Sequence, residues 1–137
     1  MATGFTRNKA TSILTDSIKS NTYICLSTST PDENGNNFSE PPTSAGYVRK
    51  QIGMLDTSIK AQVANKGYIF IFEALGDCGS VTHVGLSDSG DRGDPVFLMG
   101  KLSNAITVGA GYVPLIRPWK LKVGLDKTVL EAYPDET

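Results

Sequence analysis

One histidine, two cysteines and one tryptophan among 137 residues leave little of the equipment that enzymes and metal proteins use. Cys25 and Cys78 stand far apart, with no Cys-x-x-Cys and no neighbouring histidine, so neither a zinc site nor a redox pair is indicated. Both thiols are expected to be reduced; a single disulfide stays open at this point, because bridging is decided by geometry that spacing does not show. Long apolar runs are also missing. No stretch approaches the about 18 residues that a membrane span needs, so membrane insertion is not expected. Nor is there an excess of one charge: 13 basic side chains face 14 acidic ones, for a net charge of -1. Without a basic field, nucleic acid is not an expected partner. What remains is 39% hydrophobic and 20% charged, a balance that fits one folded domain over residues 1–137 and excludes a chain disordered in bulk. The stretch from Met1 to Lys9 carries no apolar leader, so assembly in a cytosol-like space is expected.

The pattern along the chain changes several times. Between Asn8 and Lys19, Ala10, Ile13, Leu14 and Ile18 fall on one face of a short helix, with Thr6 or Asn8 as its cap. A helix this short needs a surface on which to dock. Thr22–Ser27 reads as a strand. From Thr28 to Ala45, Pro31, Pro41, Pro42, Gly35 and several Asn residues block both helix and ladder. This long exposed loop reads either as a functional segment or as a solvated excursion ordered by neighbouring subunits.

Tyr47–Ile52 reads as a strand with one wet face, and Ile59–Ala64 as a strand or an irregular crossing. Tyr68–Phe72, the most apolar run, predicts a central strand covered on both faces. In Ser80–Ser87, alternation puts Val81, His83, Gly85 and Ser87 on one face and Thr82, Val84 and Leu86 on the other. Asp88–Asp94 is a hairpin connection to Pro95–Leu102. Strands are also expected at Ala105–Val108, Tyr112–Ile116 and Lys120–Leu125, with an edge or bend near Arg117 because Pro114 and Pro118 lack amide donors. The sum is an all-β protein: an antiparallel β-sandwich of about seven or eight short strands with a short N-terminal α-helix.

Candidate chemistry is sparse. His83 lies in mid-strand with no nucleophile motif or paired carboxylates to serve, and reads as a packed histidine. No catalytic residue, metal site or cofactor is expected. Asp32-x-Asn34-x-Asn36 begins like an EF-hand loop, but Asn37 replaces the required Gly and Thr43 the bidentate Glu. Asp88, Asp91 and Asp94 read as a solvated tip or a loose divalent-ion loop. Arg92-Gly93-Asp94 spells an adhesion tripeptide or a plain turn. Gly109-x-Gly111 lacks the following helix that a phosphate cradle needs. Trp119, beside Pro118, reads as a subunit anchor, an intrachain core residue or a sugar-stacking surface.

The order of several short motifs resembles a known family. Tyr23-Ile24-Cys25-Leu26-Ser27-Thr28-Ser29-Thr30-Pro31, then Ser39-Glu40-Pro41, then Gly46-Tyr47-Val48-Arg49, is similar to a series in small virion proteins of tailed bacteriophages commonly labelled tail-fibre-like. Cys78–Asp88, Pro95–Leu102 and Ile106–Gly111 continue that series in order. Cys78 departs from the family's Trp, and Pro114–Trp119 from its small-residue segment. The resemblance implies a non-enzymatic structural subunit of a virion, tail-fibre or tail-associated. A capsid decoration or head fibre is the first alternative. A carbohydrate-binding host-recognition module, stacking sugars on Tyr47, Tyr112 or Trp119, is the second. Implied partners are other virion proteins, further copies in a trimer or ring, and a host surface glycan. The expected contact residues are Pro31, Glu40, Pro41, Tyr47, Arg92, Asp94, Pro118 and Trp119.

Overall fold

A computed structural model describes residues 6–59 and 61–124, together with the backbone of residues 130–136. The helix α1 (Arg7–Ser17) starts where capping chemistry places it: the Thr6 hydroxyl accepts the Lys9 amide at 3.2 Å. Ala10 and Leu14 are buried, and Ile18, just past the end, joins them. The helix packs against strands β4 (Gln62–Asn65) and β8 (Pro114–Gly124), and the Thr11 hydroxyl accepts the Ala61 amide at 2.7 Å. That docking supplies what the short helix cannot supply alone.

Two antiparallel sheets enclose the core. The first runs β2 (Lys50–Gln51), β1 (Tyr23–Ser27), β6 (Gly79–Ser87), β7 (Leu98–Val108). The second runs β3 (Leu55–Asp56), β4, β8, β5 (Ile69–Phe70), and β9 (Leu130–Glu136) also pairs with β8. One contiguous core lies between them, built from Ile24, Leu26, Val63, Ile69, Val84, Leu121 and their neighbours.

Three expectations about strand extent need correction. Pro95–Leu102 and Ala105–Val108 contribute to one strand, β7, which begins at Leu98. Tyr112–Ile116 and Lys120–Leu125 are likewise two halves of β8, of which Leu125 lies outside the described residues. The bend expected near Arg117 is present inside β8: its pairing with β9 shifts register between Ile116 and Leu121, and Trp119 adopts φ 62°. Of Tyr47–Ile52, only Lys50–Gln51 joins a ladder, because the Tyr47 and Arg49 side chains turn inward to polar partners.

The faces of β6 differ from simple alternation. Between Val81 and His83 the pairing with β7 slips by three residues, the extra ones lying in β7, and Val81, Val84 and Leu86 all enter the core. The Tyr68–Phe72 run is not central either. Among the described residues its strand β5 pairs with β8 alone, and although Ile69 and Ile71 are buried, Tyr68 is 54% and Phe70 52% exposed.

Candidate functional site

The Thr28–Ala45 loop is held by its own chain rather than left as a solvated excursion. Asp32 Oδ1 accepts the amides of Asn34 and Asn36, each at 2.9 Å, and these bonds hold its carboxyl below the usual carboxylate range. Ser27 Oγ, buried at the end of β1, accepts the amides of Ser29 and Ser39 at 3.2 and 3.0 Å. The Ser29 hydroxyl donates to the Asn37 carbonyl. Phe38 lies over Gly85 of β6, where a Cβ would stand 2.9 Å from the ring.

At the end of this loop sits a buried ion pair. Arg49 Nε donates to Glu40 Oε1 at 2.8 Å and Arg49 Nη2 to Oε2 at 3.1 Å, the forked geometry that guanidinium and carboxylate favour. The Tyr47 hydroxyl donates to Glu40 Oε1 at 2.6 Å and itself accepts the Leu26 amide at 3.1 Å. The Gly93 amide donates to Oε2 at 2.7 Å. Arg49 completes its set on the carbonyls of Ser89 (2.9 Å) and Asp94 (2.6 Å). Burial alone would raise the Glu40 pKa, but the bonds from Arg49, Tyr47 and Gly93 outweigh it and hold the carboxyl below its ordinary value. The same burial and the adjacent carboxylate push the Tyr47 hydroxyl far above its ordinary value. This cluster fastens the Thr28–Ala45 loop, strand β1 and the Asp88–Asp94 tip to one another.

Of the eight residues expected at a contact surface, five belong to this lock. Glu40, Pro41 and Tyr47 are buried. Arg92 donates to the carbonyls of Pro41 and Glu40, both at 2.7 Å, and the Asp94 carboxylate accepts the Ser89 hydroxyl at 2.6 Å. All three residues of the Arg92-Gly93-Asp94 tripeptide thus bond within the chain while staying exposed at its surface. Tyr47 has no exposed ring face on which a sugar can stack. Pro31 and Pro118 are half-buried, while Tyr112 and Trp119 are 45% and 49% exposed.

Trp119 stands apart from the lock, in the β8 bulge on the other sheet. Its left-handed backbone is costly for a bulky side chain, and its indole Nε1 donates to Asp56 Oδ2 at 2.6 Å. Asn65, fully buried and missed by sequence reasoning, props this bulge. Its amide nitrogen donates to the carbonyls of Gly67 (2.8 Å) and Arg117 (2.9 Å), and its oxygen accepts the Leu121 amide at 2.9 Å. Arg49 was missed in the same way: a charged residue in an alternating segment reads as wet, and nothing local reveals that its partner sits in a loop.

Catalytic candidates find no company. His83 Nδ1 lies 2.8 Å from the Thr82 hydroxyl, and burial, then Lys101, lowers its pKa. Cys25 and Cys78 are both buried free thiols. Burial pushes the Cys25 thiol up to about 12, against a smaller lowering by Arg49. Among the described residues no group of three or more His, Cys, Asp or Glu side chains converges as metal ligands would. An open groove of about 540 Å³ at the end of α1, between Asp16, Lys19, Asp88 and Phe97, includes none of the expected contact residues.

Compared with known proteins, residues 7–124 match a family model described as Podophage GP4 fiber I protein gp80. No curated protein and no solved structure matches.

Proposed function

Since the chain belongs to the Podophage GP4 fiber I protein gp80 family, we propose that it is a non-enzymatic structural subunit of a podophage virion, placed in a fibre or at the tail and working through subunit interfaces. The family match over residues 7–124 carries this reading. Two structural features support it. The buried Glu40–Arg49 pair and its loops make one end of the sandwich rigid, as a load-carrying subunit requires. The second sheet, by contrast, leaves large apolar side chains on its surface, with Met54 68%, Tyr68 54%, Phe70 52% and Trp119 49% exposed. Exposed aromatic groups on a rigid support are typical of interface anchors. Trp119, fixed by Asp56 and by its bulge, is the anchor we assign to contact with a neighbouring virion protein.

Immunogold labelling of purified particles with an antibody to this chain tests the placement. Label at the tail or on fibres is expected. Label spread over the capsid surface would replace this placement with decoration, and unlabelled particles with accessible epitopes would overturn the structural role.

A further inference from the structure

Asn34 is the only asparagine in the chain that precedes a glycine. It lies in the Thr28–Ala45 loop, inside a tight turn where the Gly35 amide donates to the Asp32 carbonyl at 3.0 Å and the Asp32 amide to the Asn36 carbonyl at 2.9 Å. The Asn34 side chain is exposed, and among the described residues its carboxamide has no hydrogen-bond partner. Gly35, at φ 83°, puts no Cβ beside its own nitrogen. An unbonded carboxamide in water therefore sits next to the least shielded backbone nitrogen a chain can offer.

We propose that Asn34 is a site of spontaneous deamidation, and that the turn built on Asp32 sets its rate. The Gly35 nitrogen gives its proton to hydroxide and attacks the Asn34 Cγ carbon. The new N–C bond closes a five-membered imide, while the Cγ–NH2 bond breaks and the leaving nitrogen takes a proton from water to depart as ammonia. Water then opens the imide at one of its two carbonyls, leaving aspartate at residue 34 or isoaspartate, whose main chain runs through Cβ. In sum, a carboxamide and water become a carboxylate and an ammonium ion, with no oxidant, reductant or cofactor. The closed turn holds the first step back. The Gly35 N–H is held against the Asp32 carbonyl, and Asp32 Oδ1 pins the amides on either side, those of Asn34 and Asn36, at 2.9 Å each. Hydroxide reaches the Gly35 proton only when the turn opens, the same local opening that governs amide exchange. Asp32 is thus the brake. Isoaspartate adds one carbon to the main chain between the two amides that Asp32 Oδ1 holds, so the product loosens the turn that restrained it. Either product sets a third carboxylate beside Asp32 and Glu33.

The test is peptide mass spectrometry, with fragmentation to locate the change, after timed incubation of the full chain at pH 8. Folded native chain, folded Asp32→Ala, folded Asp32→Asn and both the native chain and Asp32→Ala in urea are compared. A gain of about 1 Da at residue 34 is expected in the folded native chain, with isoaspartate detected on the same peptide by enzymatic methyl transfer. The gain should be slower than in urea. Folded Asp32→Ala, which removes the acceptor for two amides, should react several-fold faster than the folded native chain, while the two agree in urea. That agreement separates the turn from any direct effect of the Asp32 carboxylate on the chemistry. Asp32→Asn keeps an Oδ1 acceptor and should stay near the native rate. No gain at residue 34 in the folded chain by the time the urea sample has converted would overturn the site. Equal rates for folded Asp32→Ala and folded native chain, or an Asp32→Asn rate as fast as that of Asp32→Ala, would overturn the turn's control.

Discussion

Removing the Glu40 carboxylate is the sharpest perturbation the fold offers. In Glu40→Ala, Arg49 keeps its bonds to the Ser89 and Asp94 carbonyls but loses its counter-charge in a site where its own side chain is fully covered. The Tyr47 hydroxyl and the Gly93 amide lose their acceptor at the same time. Breaking one side of a buried pair costs about 3–5 kcal/mol. Against a total stability of roughly 5–15 kcal/mol that is a large share. The melting temperature should fall by roughly 10–20 °C. Glu40→Gln keeps the volume but turns an NH2 toward donors, and should cost about 2–4 kcal/mol. Urea titrations of Glu40→Gln, Arg49→Met and the double variant should give a coupling of at least about 1 kcal/mol.

The pH dependence has a definite sign. The folded-state pKa of Glu40 lies below its unfolded value, so its contribution is fully present above about pH 4.3 and is lost as the pH falls through the lowered folded value. Glu40→Gln should therefore flatten the acid limb of the stability curve while lowering the neutral plateau. High salt should leave the cost largely intact, because a buried pair is weakly screened. A Glu40→Ala protein within about 0.5 kcal/mol of the native one, or additive single effects, would refute the reasoning.

Three further outcomes follow from the same geometry. Cys25 and Cys78, buried and with pKa values raised by burial, should resist a thiol reagent at pH 8 in the native protein, and both should react once urea is added. Gly46→Ala should destabilise strongly in thermal melts, by about 2 kcal/mol or more, because residue 46 has φ 90° and its new Cβ would stand 2.6 Å from the Glu73 carbonyl oxygen. Asn65→Ala should cost about 2–4 kcal/mol by orphaning the Leu121 amide and two carbonyls, and should raise hydrogen exchange in the β8 bulge around Trp119.

Local signals were legible where the chain obeys a period. The α1 spacing, the Thr6 cap and the β1 run all lie within a residue or two of their expected bounds, because the interactions that set them span a turn or a pleat. The register shift between β6 and β7 was not legible. Nothing in the sequence announces that β7 carries three more residues than β6 between the pairs Val81–Ile106 and His83–Lys101. The apolar Tyr68–Phe72 run suggested two-sided burial, but β8 is flanked by β9 as well as by β5, which leaves β5 at the rim.

The polar lock was the least visible feature. Glu40 and Arg49 are nine residues apart, and Gly93 meets Glu40 across 53 positions, so no window of sequence contains the constellation. The motif resemblance did select its members, since Glu40-Pro41 and Gly46-Tyr47-Val48-Arg49 are among the quoted segments, and it pointed to the same fibre-type class as the family match. It did not say that these residues face inward.

Membership of the chain in the virion is the premise on which its fibre role depends. Quantitative mass spectrometry of purified particles, counting this chain against the major capsid protein, tests that directly. A fixed copy number of a few to some tens per particle is the result expected for a fibre or tail subunit. Hundreds of copies would contradict that placement, and absence from the particle would contradict the structural role itself.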